Sequence, residues 1–381
     1  MHDAVVIGGG PAGTISARLL AEDHDVLVIE DHDVSGTPVQ CAGLISSKVV
    51  DMLDVVPDVL NGLYGANVFF PNGKKVVVRS KEMMAMLIDR GDLDRKLAEK
   101  AMDTGVKFSY GTKYKGHRNL SDKVSISLDN GDVQASAIIG ADGHGSATAS
   151  IIPDNGPKEY IYGMQVDVRS ISEEGDMMNL RIGSDIAPGF FTWEIPFGDL
   201  TRVGLCVSGA GEPNDHLKRL LKVSGLQDSE VVSRYSGRIP LGGRRRTYAD
   251  RLMLIGDAAG QVKPISGGGL YPILKVAPVL RDTFSKAVSE KDLSAKNLSS
   301  YEKGWKKEIG KELSRGYRIR KMYTNLSDAD LDRVCELVSR EKTRKFLDDI
   351  KIDSPSDVAP LILRDPKVMM GFLPIIMRSL I

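Results

Sequence analysis

The sequence is poor in cysteine and histidine, the residues that most often hold metals. Three cysteines, Cys41, Cys206 and Cys335, lie far apart among 381 residues. They are too few for a disulfide framework, a four-ligand zinc site or an iron–sulfur cluster. The six histidines show no metal-ligand spacing, and the G-x-S-x-G pattern of a hydrolase nucleophile is absent. The sequence therefore predicts no metal site.

An excess of charge of either sign is also absent. Lysine and arginine together number 51, as do aspartate and glutamate, so there is no general electrostatic case for a nucleic-acid partner. No run of ~20 apolar residues, the length that a membrane-spanning helix needs, occurs in the sequence. The apolar opening, residues 4–7, leads directly into glycines without the basic segment of a signal peptide. We therefore expect a cytoplasmic protein.

Glycine, by contrast, is abundant. It accounts for 39 of the 381 residues, or about 10%, against a usual share of ~7%. Residues 8–13 form a G-x-G-x-x-G motif between a predicted strand, 3–8, and a predicted helix, 11–21. The first glycine permits a tight turn, the second lets the backbone approach a pyrophosphate, and the third allows close helix–strand packing. Glu30 ends the next predicted strand, where a carboxylate can accept hydrogen bonds from an adenosine ribose.

A second signal lies much later in the chain. A predicted buried strand, 251–256, delivers Asp257 to its carboxyl end, and a parallel sheet would bring that end beside the first glycine turn. A carboxylate there can bind the ribityl hydroxyls of a flavin. Gly267, Gly268 and Gly269 then open a helix, whose amides can stabilise negative charge on a reduced isoalloxazine ring. Both ends of the chain therefore indicate one ligand, FAD rather than NAD.

The pattern as a whole predicts an α/β fold. A doubly wound, Rossmann-like FAD-binding domain is expected to carry an inserted antiparallel β-sheet substrate domain and a helical C-terminus. The predicted limits are 1–62, 80–150 and 245–295 for the FAD-binding domain, 63–79 and 151–244 for the substrate domain, and 296–381 for the helical region.

Local signals add detail to this prediction. They are a hairpin across residues 71–73, a helix over 92–104 capped by Asp92, a helix near 214–223, and helix starts at Ser294, Ser327 and Ser354.

These signals, together with residues 139–143, resemble the FAD-dependent oxidoreductases that include p-hydroxybenzoate hydroxylase. The resemblance implies that the segment around Asp142 lies near the flavin and that Arg90 contacts the cofactor. Within this group the sequence is more similar to the geranylgeranyl reductase family, archaeal enzymes that saturate the isoprenoid chains of ether lipids. Two segments carry the similarity: residues 36–44, which lie beside the flavin in the family, and residues 191–196, which line the lipid pocket.

The sequence departs from that family at several positions. The phenylalanine before the family's proline is Ile195, and the last glycine of its G-x-G pattern, which starts at Gly204, is Cys206. Pro272 and Pro278 fall within the helix that follows the three glycines, where an interior proline would kink it. These departures bear on which substrate the protein binds, and they do not alter the prediction that it binds a flavin.

The candidate site residues follow from the motifs and the resemblance together. Cys41 is the candidate catalytic residue, since its thiol can be a proton donor for alkene reduction, or it can simply pack over the flavin. Phe191 and Trp193 share one face of a predicted strand, either as core or as an apolar wall. The predicted substrate-binding residues are Phe191, Trp193 and Pro196. The predicted cofactor-binding residues are Gly8, Gly10, Pro11, Ala12, Gly13, Glu30, Cys41, Ala42, Arg90, Asp142, Gly256, Asp257, Gly267, Gly268 and Gly269.

The resemblance implies an FAD-dependent reductase that saturates C=C bonds of geranylgeranyl chains in ether-lipid precursors, with hydride from N5 of FADH₂. Ferredoxin or NAD(P)H is the expected electron donor, because no second nucleotide-binding motif is found. The alternatives are a flavin-dependent monooxygenase or halogenase, a quinone-linked dehydrogenase, and a non-enzymatic prenyl-lipid-binding protein of the same fold. The arginines at 244–246 and the tail 368–381 leave open a peripheral contact with the inner face of the cell membrane, although the tail could instead cover the substrate tunnel.

Overall fold

The computed structural model describes residues 1–153, 156–209, 212–340, 353 and 366–379. The strands are β1 His2–Ile7, β2 Val26–Ile29, β3 Leu44–Ile45, β4 Val59–Leu63, β5 Gly65–Phe69, β6 Lys75–Arg79, β7 Ala85–Ile88, β8 Lys107–Ser109, β9 Tyr114–Asn119, β10 Val124–Leu128, β11 Gly131–Gly140, β12 Glu159–Arg169, β13 Met177–Arg181, β14 Thr192–Phe197, β15 Leu200–Ser208, β16 Val231–Leu241, β17 Tyr248–Ala249 and β18 Leu252–Leu254. The helices are α1 Pro11–Leu20, α2 Ser47–Met52, α3 Arg90–Asp103, α4 Ala147–Ser150, α5 Pro213–Val223, α6 Leu270–Ser289, α7 Ala295–Trp305, α8 Lys311–Thr324, α9 Asp328–Val338 and α10 Pro366–Ser379.

The first sheet has a parallel centre with the order β18-β11-β1-β2-β8. The buried part of β1, residues 4–7, and the whole of β2 consist of alanine, valine, isoleucine and leucine, as strands covered on both faces require. Helices α1, α3, α6 and α7 pack on one face, and the antiparallel strands β9 and β10 extend the sheet beyond β11. The strand–turn–helix–strand opening predicted from the sequence is confirmed.

The second sheet has the order β16-β12-β15-β14-β13-β5-β6. Helix α5 covers its outer face, and β5 and β6 form the hairpin predicted across residues 71–73. One pair, β5 with β13, is parallel, whereas the sequence predicted an antiparallel sheet throughout. These two strands come from distant parts of the chain, so no hairpin turn constrains them to run antiparallel. A small third sheet, β3-β7-β4, adjoins the second.

Helix α3 begins earlier than the sequence predicts. Its N-cap is Asp89, whose carboxylate accepts a hydrogen bond from the amide of Asp92 at 3.0 Å. The predicted cap at Asp92 is therefore wrong. Both aspartates have suitable chemistry, but Asp89 directly follows β7 and keeps the extended backbone that a cap needs. This earlier start places Arg90 in the first turn of the helix.

Helix α6 runs unbroken through both of its prolines. Pro272 lies in the first turn, where a backbone N–H would have no partner inside the helix, so its ring costs little there. Pro278 lies in the interior, and the helix continues beyond it to Ser289. The two prolines therefore do not end the helix.

The C-terminal region is helical, as predicted. The helix starts predicted at Ser294 and Ser327 are confirmed, because both side chains accept a hydrogen bond from the first turn. The start predicted at Ser354 lies outside the described residues. Within the described part of the chain, no helix has the length and apolar character needed to cross a bilayer.

Three glycines allow the backbone turns of the first sheet to approach one another. A Cβ atom on Gly13 would lie 1.8 Å from the carbonyl oxygen of Gly8, and one on Gly8 would lie 2.4 Å from the carbonyl oxygen of Ala141. A Cβ atom on Gly256 would lie 2.7 Å from the Cβ of Ala12. The turns after β1, β11 and β18 therefore pack at distances that only glycine permits.

Replacement of Gly13 by alanine should lower the free energy of unfolding by about 2–3 kcal/mol, because the added methyl group forces α1 away from β1. Urea denaturation of the purified protein measures this change. The control is Gly10→Ala, because a Cβ at that position meets no atom within 4 Å. The control should stay within about 1 kcal/mol of the unmodified protein. Equal stability of the two variants would contradict this packing.

Candidate functional site

Four loops converge at one edge of the first sheet. Residues 8–13 follow β1, Glu30 follows β2, Asp142 follows β11, and Asp257 follows β18. These strands are parallel and adjacent, so their carboxyl ends meet at the same edge. This edge is where doubly wound proteins bind their ligands.

A branched cavity opens at this edge. One part, of about 670 Å³, lies between the two large sheets. The other, of about 470 Å³, lies along the ends of β1 and β2. Gly10, Ala141 and His144 line both parts, which therefore adjoin one another.

Gly10 is the glycine of the first turn that faces open space. Its φ of −74° suits any residue, and no protein atom lies within 4 Å of the position a Cβ would take. Nothing in the protein itself therefore requires glycine at this position. A ligand that packs against the backbone does require it, so this turn fits a bound pyrophosphate.

Glu30 is buried and already bonded within the protein. One carboxylate oxygen accepts from the amide of Gly9 at 2.5 Å, and the other accepts from the amide of His32 at 3.0 Å and lies 2.5 Å from its imidazole Nδ1. Each carboxylate oxygen can accept two hydrogen bonds. Glu30 lines the second part of the cavity, so it retains capacity for a ribose hydroxyl.

Asp142 also bonds mainly within its own loop. Its carboxylate accepts hydrogen bonds from the hydroxyl of Ser146 at 2.7 Å, and from the hydroxyl and the amide of Thr148 at 2.6 and 2.9 Å. Asp142 therefore fixes the turn that follows β11, which lines the cavity beside the first glycine turn.

Asp257 differs from these two carboxylates. It lines the cavity, and no described residue donates a hydrogen bond to its side chain. Burial raises the pKa of its carboxyl to about 6, although the positive charge of Arg90 opposes this rise. A half-buried carboxylate without a protein donor depends on solvent or a ligand for its hydrogen bonds. A ligand that carries hydroxyl groups would supply the missing donors, so this position fits a ribityl chain.

The turn before α6 offers further polar groups to the cavity. Among the described residues, no acceptor is found for the amides of Gly268 and Gly269, and both residues line the cavity. The hydroxyl of Ser266 is buried without a hydrogen-bond partner. The amide of Gly267, in contrast, donates to the carbonyl oxygen of Lys263 at 2.8 Å and holds the turn. The free donors fit the polar edge of a flavin ring.

Arg90 and Cys41 face the same cavity. The guanidinium of Arg90 donates to both carboxylate oxygens of Asp94 at 2.8 Å. Burial alone would lower the pKa of Arg90, but Asp94 and the neighbouring thiol of Cys41 raise it above its ordinary value. Arg90 therefore remains a cation and places positive charge beside the cysteine.

The loop that carries Cys41 is held by the second sheet. Gln165 of β12 donates to the carbonyl oxygen of Cys41 at 3.0 Å, and Arg202 of β15 donates to that of Ala42 at 2.8 Å. Arg202 is buried and forms a two-point ion pair with Asp167 at 2.7 and 2.9 Å. The second sheet therefore fixes the position of the loop that carries the thiol.

The sequence prediction missed Gln165 and Arg202. A signal for them exists, because Gln165, Asp167 and Arg202 are polar residues within strands whose neighbours are strongly apolar. A buried polar residue usually has a specific partner. That partner is a backbone carbonyl of a distant loop, which sequence reasoning cannot identify.

The second sheet supplies the apolar wall. The rings of Phe191 and Trp193 lie edge to face at 6.4 Å, and both line the cavity. The indole N–H of Trp193 donates to Gln165 at 3.2 Å. A Cβ on Gly204 would lie 2.5 Å from this indole, which explains why glycine occupies that position. Further apolar residues extend the wall towards the hairpin β5–β6, namely Leu63, Ala66, Val68, Val78, Met178 and Leu180.

Three predicted site residues do not line the cavity. Gly13 and Gly256 act through the close packing of the turns. Pro196 is buried on β14, and its carbonyl oxygen accepts a hydrogen bond from Asn61 at 2.7 Å. The structure brings together the other predicted residues that line it: Gly8, Gly10, Pro11, Ala12, Glu30, Cys41, Ala42, Arg90, Asp142, Phe191, Trp193, Asp257, Gly267, Gly268 and Gly269.

Comparison with known sequences identifies the family. Residues 3–340 match the family model described as lycopene cyclase protein. The chain is 30% identical over 387 residues to the digeranylgeranylglycerophospholipid reductase of Methanothrix thermoacetophila. The alignment covers 96% of this chain and 97% of that protein. The chain belongs to the digeranylgeranylglycerophospholipid reductase family. The family predicted from the sequence is thus confirmed.

Solved structures share the fold of this reductase-family protein. A geranylgeranyl bacteriochlorophyll reductase-like protein from Thermoplasma acidophilum has a TM-score of 0.86 at 23% identity, over 98% of this chain and 99% of that one. The halogenase PltM in complex with phloroglucinol and FAD has a TM-score of 0.70 at 15% identity, over 95% of this chain and 86% of that one. The predicted fold class is confirmed.

Asp257 predicts a pH dependence of stability for the ligand-free reductase-family protein. Because its folded pKa of about 6 exceeds the ordinary 3.8, its stabilising contribution is complete below pH ~4 and is lost as the pH rises through ~6. Asp257→Asn should therefore be more stable than the unmodified apoprotein at pH 7.5, by about 1–2 kcal/mol after allowance for water in the cavity, and equal to it at pH 4.

Thermal and urea unfolding at the two pH values measure this difference. The exposed Asp122 provides the control, since Asp122→Asn should show no such change between the two pH values. An Asp257→Asn apoprotein that is less stable than the unmodified protein at pH 7.5 would show that this carboxylate is not strained.

Proposed function

We propose that this protein is an FAD-dependent reductase that saturates C=C bonds of geranylgeranyl chains in archaeal ether-lipid precursors. The observation that carries the proposal is the branched cavity, which joins the glycine turn at residues 8–13 to an apolar wall on the second sheet. The family relatives are named for a prenyl lipid and a reduction, and a cavity of this form suits both a dinucleotide and a prenyl chain.

The residues at the strand ends would hold FAD. The turn at 8–13 would bind the pyrophosphate, Glu30 the ribose, and Asp257 the ribityl hydroxyls. The amides of Gly268 and Gly269 would bind the polar edge of the ring. When bound and reduced, FAD supplies a hydride from N5 to one carbon of the alkene.

Cys41 would supply the proton that completes the reduction. Its thiol would give a proton to the second alkene carbon, and solvent would then return a proton to the sulfur. Gln165 and Arg202 hold the loop in place by its carbonyl groups. Phe191 and Trp193 would exclude water from the alkene.

The electron donor and the membrane contact belong to the same proposal. We expect ferredoxin or NAD(P)H to reduce the flavin. Helix α10 exposes Met370 and Leu373, while Phe372 and Ile375 pack against the helical region. Its exposed apolar side chains would allow peripheral contact with the membrane that holds the lipid substrate.

A flavin-dependent halogenase or monooxygenase is the competing function. A flavin-dependent halogenase needs a lysine near its substrate tunnel. Lys263 would suit that role, because this lysine is buried and lines the cavity near the three glycines. Its ammonium group, however, donates to Asp353 at 3.2 Å, and burial lowers its pKa. Oxygen consumption in step with loss of an aromatic substrate would favour this alternative.

The decisive experiment mixes the protein, after anaerobic reduction of its flavin, with a geranylgeranyl lipid in a stopped-flow instrument. The flavin absorbance should return as the lipid is saturated, and mass spectrometry should find two added hydrogens for each bond reduced. Protein that purifies with flavin but is not reoxidised by the lipid would exclude the reductase function. Folded protein that takes up no flavin would exclude the whole proposal.

Cys41→Ser should retain its flavin and lose at least about tenfold in the rate of reoxidation by the lipid, because serine is a far weaker acid than cysteine. The control is Cys335→Ser on α9, which is buried outside the cavity. Full turnover with an unchanged product spectrum in the Cys41 variant would leave that thiol a packing role only.

Ala66→Phe tests the apolar wall, since Ala66 lies on β5 where the cavity runs towards the hairpin. The larger side chain should fill this part of the cavity, so the KM for a geranylgeranyl lipid should rise several-fold while that for a shorter, geranyl lipid changes little. Flavin content should not change. An equal effect on both lipids would place the prenyl chain elsewhere.

A further inference from the structure

The cavity has a polar end opposite its apolar end. Arg238 lies on β16, at one edge of the second sheet, whereas Ala66 and Val68 lie on β5, five strands away. At a spacing of ~4.8 Å between neighbouring strands, these positions are about 24 Å apart. The cavity therefore extends across most of the sheet, from a cationic side chain to an apolar hairpin.

Arg238 differs from Arg90, the other arginine that lines this part of the cavity. Arg90 has a carboxylate partner in Asp94. Among the described residues, none forms an ion pair with Arg238, which is half-buried and lies with its guanidinium 4.8 Å from the ring centroid of Tyr160. A partly desolvated arginine without an anion is ready to bind one.

The loop 143–145 lies beside the guanidinium of Arg238. The hydroxyl of Tyr160 donates to the carbonyl oxygen of His144 at 3.1 Å, which fixes the loop 143–145 beside the guanidinium. A Cβ on Gly145 would lie 3.5 Å from Arg238. Burial, with a smaller contribution from Arg238, lowers the pKa of His144. The imidazole therefore stays neutral at pH 7 and can donate a hydrogen bond to an anion.

We propose that Arg238 and His144 form a subsite for the phosphate headgroup of a prenyl-lipid substrate. This assignment rests on the proposed function and extends it, since it fixes the direction in which the lipid enters. With its phosphate at β16, the prenyl chain runs past Cys41 and Trp193 towards the hairpin β5–β6. The pyrophosphate of the dinucleotide is the other source of the same chemistry, and the test separates the two.

The test compares Arg238→Gln with the unmodified holoenzyme by calorimetric titration with geranylgeranyl phosphate and with geranylgeraniol, which lacks the phosphate. The variant should keep its full flavin absorbance, bind the phosphate about tenfold or more weakly, and bind the alcohol unchanged, because one charge-assisted hydrogen-bonding group is lost. Arg238→Lys should recover part of the affinity. Arg234→Gln, an exposed position on the same strand, is the matched control and should bind both lipids normally.

The assignment would be overturned by any of the following results. A phosphate subsite at Arg238 would be excluded if the Arg238→Gln variant bound both lipids equally more weakly, or bound both as tightly as the unmodified enzyme. Loss of flavin from Arg238→Gln would assign the guanidinium to the cofactor. An unmodified enzyme that binds the two lipids equally well would exclude the subsite while leaving the reductase function intact, whereas one that binds neither would overturn both.

Discussion

The close approach of backbone turns at the carboxyl edge of the parallel sheet is the constraint on which the rest of the structure depends. The turn after β1 packs against the turn after β11 through Gly8, and against the turn after β18 through Gly256. Side chains at either position would separate the strand ends. Because the turns meet, Asp257 and the glycines before α6 lie beside the start of α1, and one continuous cavity can receive a long ligand.

The second sheet completes the site by holding a loop that belongs to neither sheet. Gln165 and Arg202 bind two consecutive carbonyl groups of the Cys41 loop, and Asp167 neutralises the buried arginine. A buried ion pair of this kind gives specificity of position more than stability. It fixes the thiol between the edge of the parallel sheet and the apolar wall, where a proton donor for an alkene would be needed.

Charge along the cavity follows the proposed ligands. Arg90 stays a cation with Asp94 beside it. Among the residues that the structure describes, none donates a hydrogen bond to the side chain of Asp257, and none accepts one from the amides of Gly268 and Gly269. A ligand of complementary polarity would supply the partners that the carboxylate of Asp257 and these two amides do not find among the described residues. The apolar wall around Trp193 carries no such groups, which separates the proposed polar and prenyl parts of the site.

The sequence by itself determined the parallel sheet, the glycine turns, most helix starts and the family, because these depend on local patterns: strand periodicity, glycine spacing and capping side chains. It named Asp92 as the cap of α3, where the structure has Asp89, and it did not predict the parallel pairing of β5 with β13, since neither feature is visible locally. Only the tertiary structure decided that Gln165 and Arg202 hold the Cys41 loop and that Pro196 lies outside the cavity. It also decided that Arg238 forms an ion pair with none of the described residues. Those facts depend on which distant side chains become neighbours when the two sheets pack together, and on which charges are left without partners there.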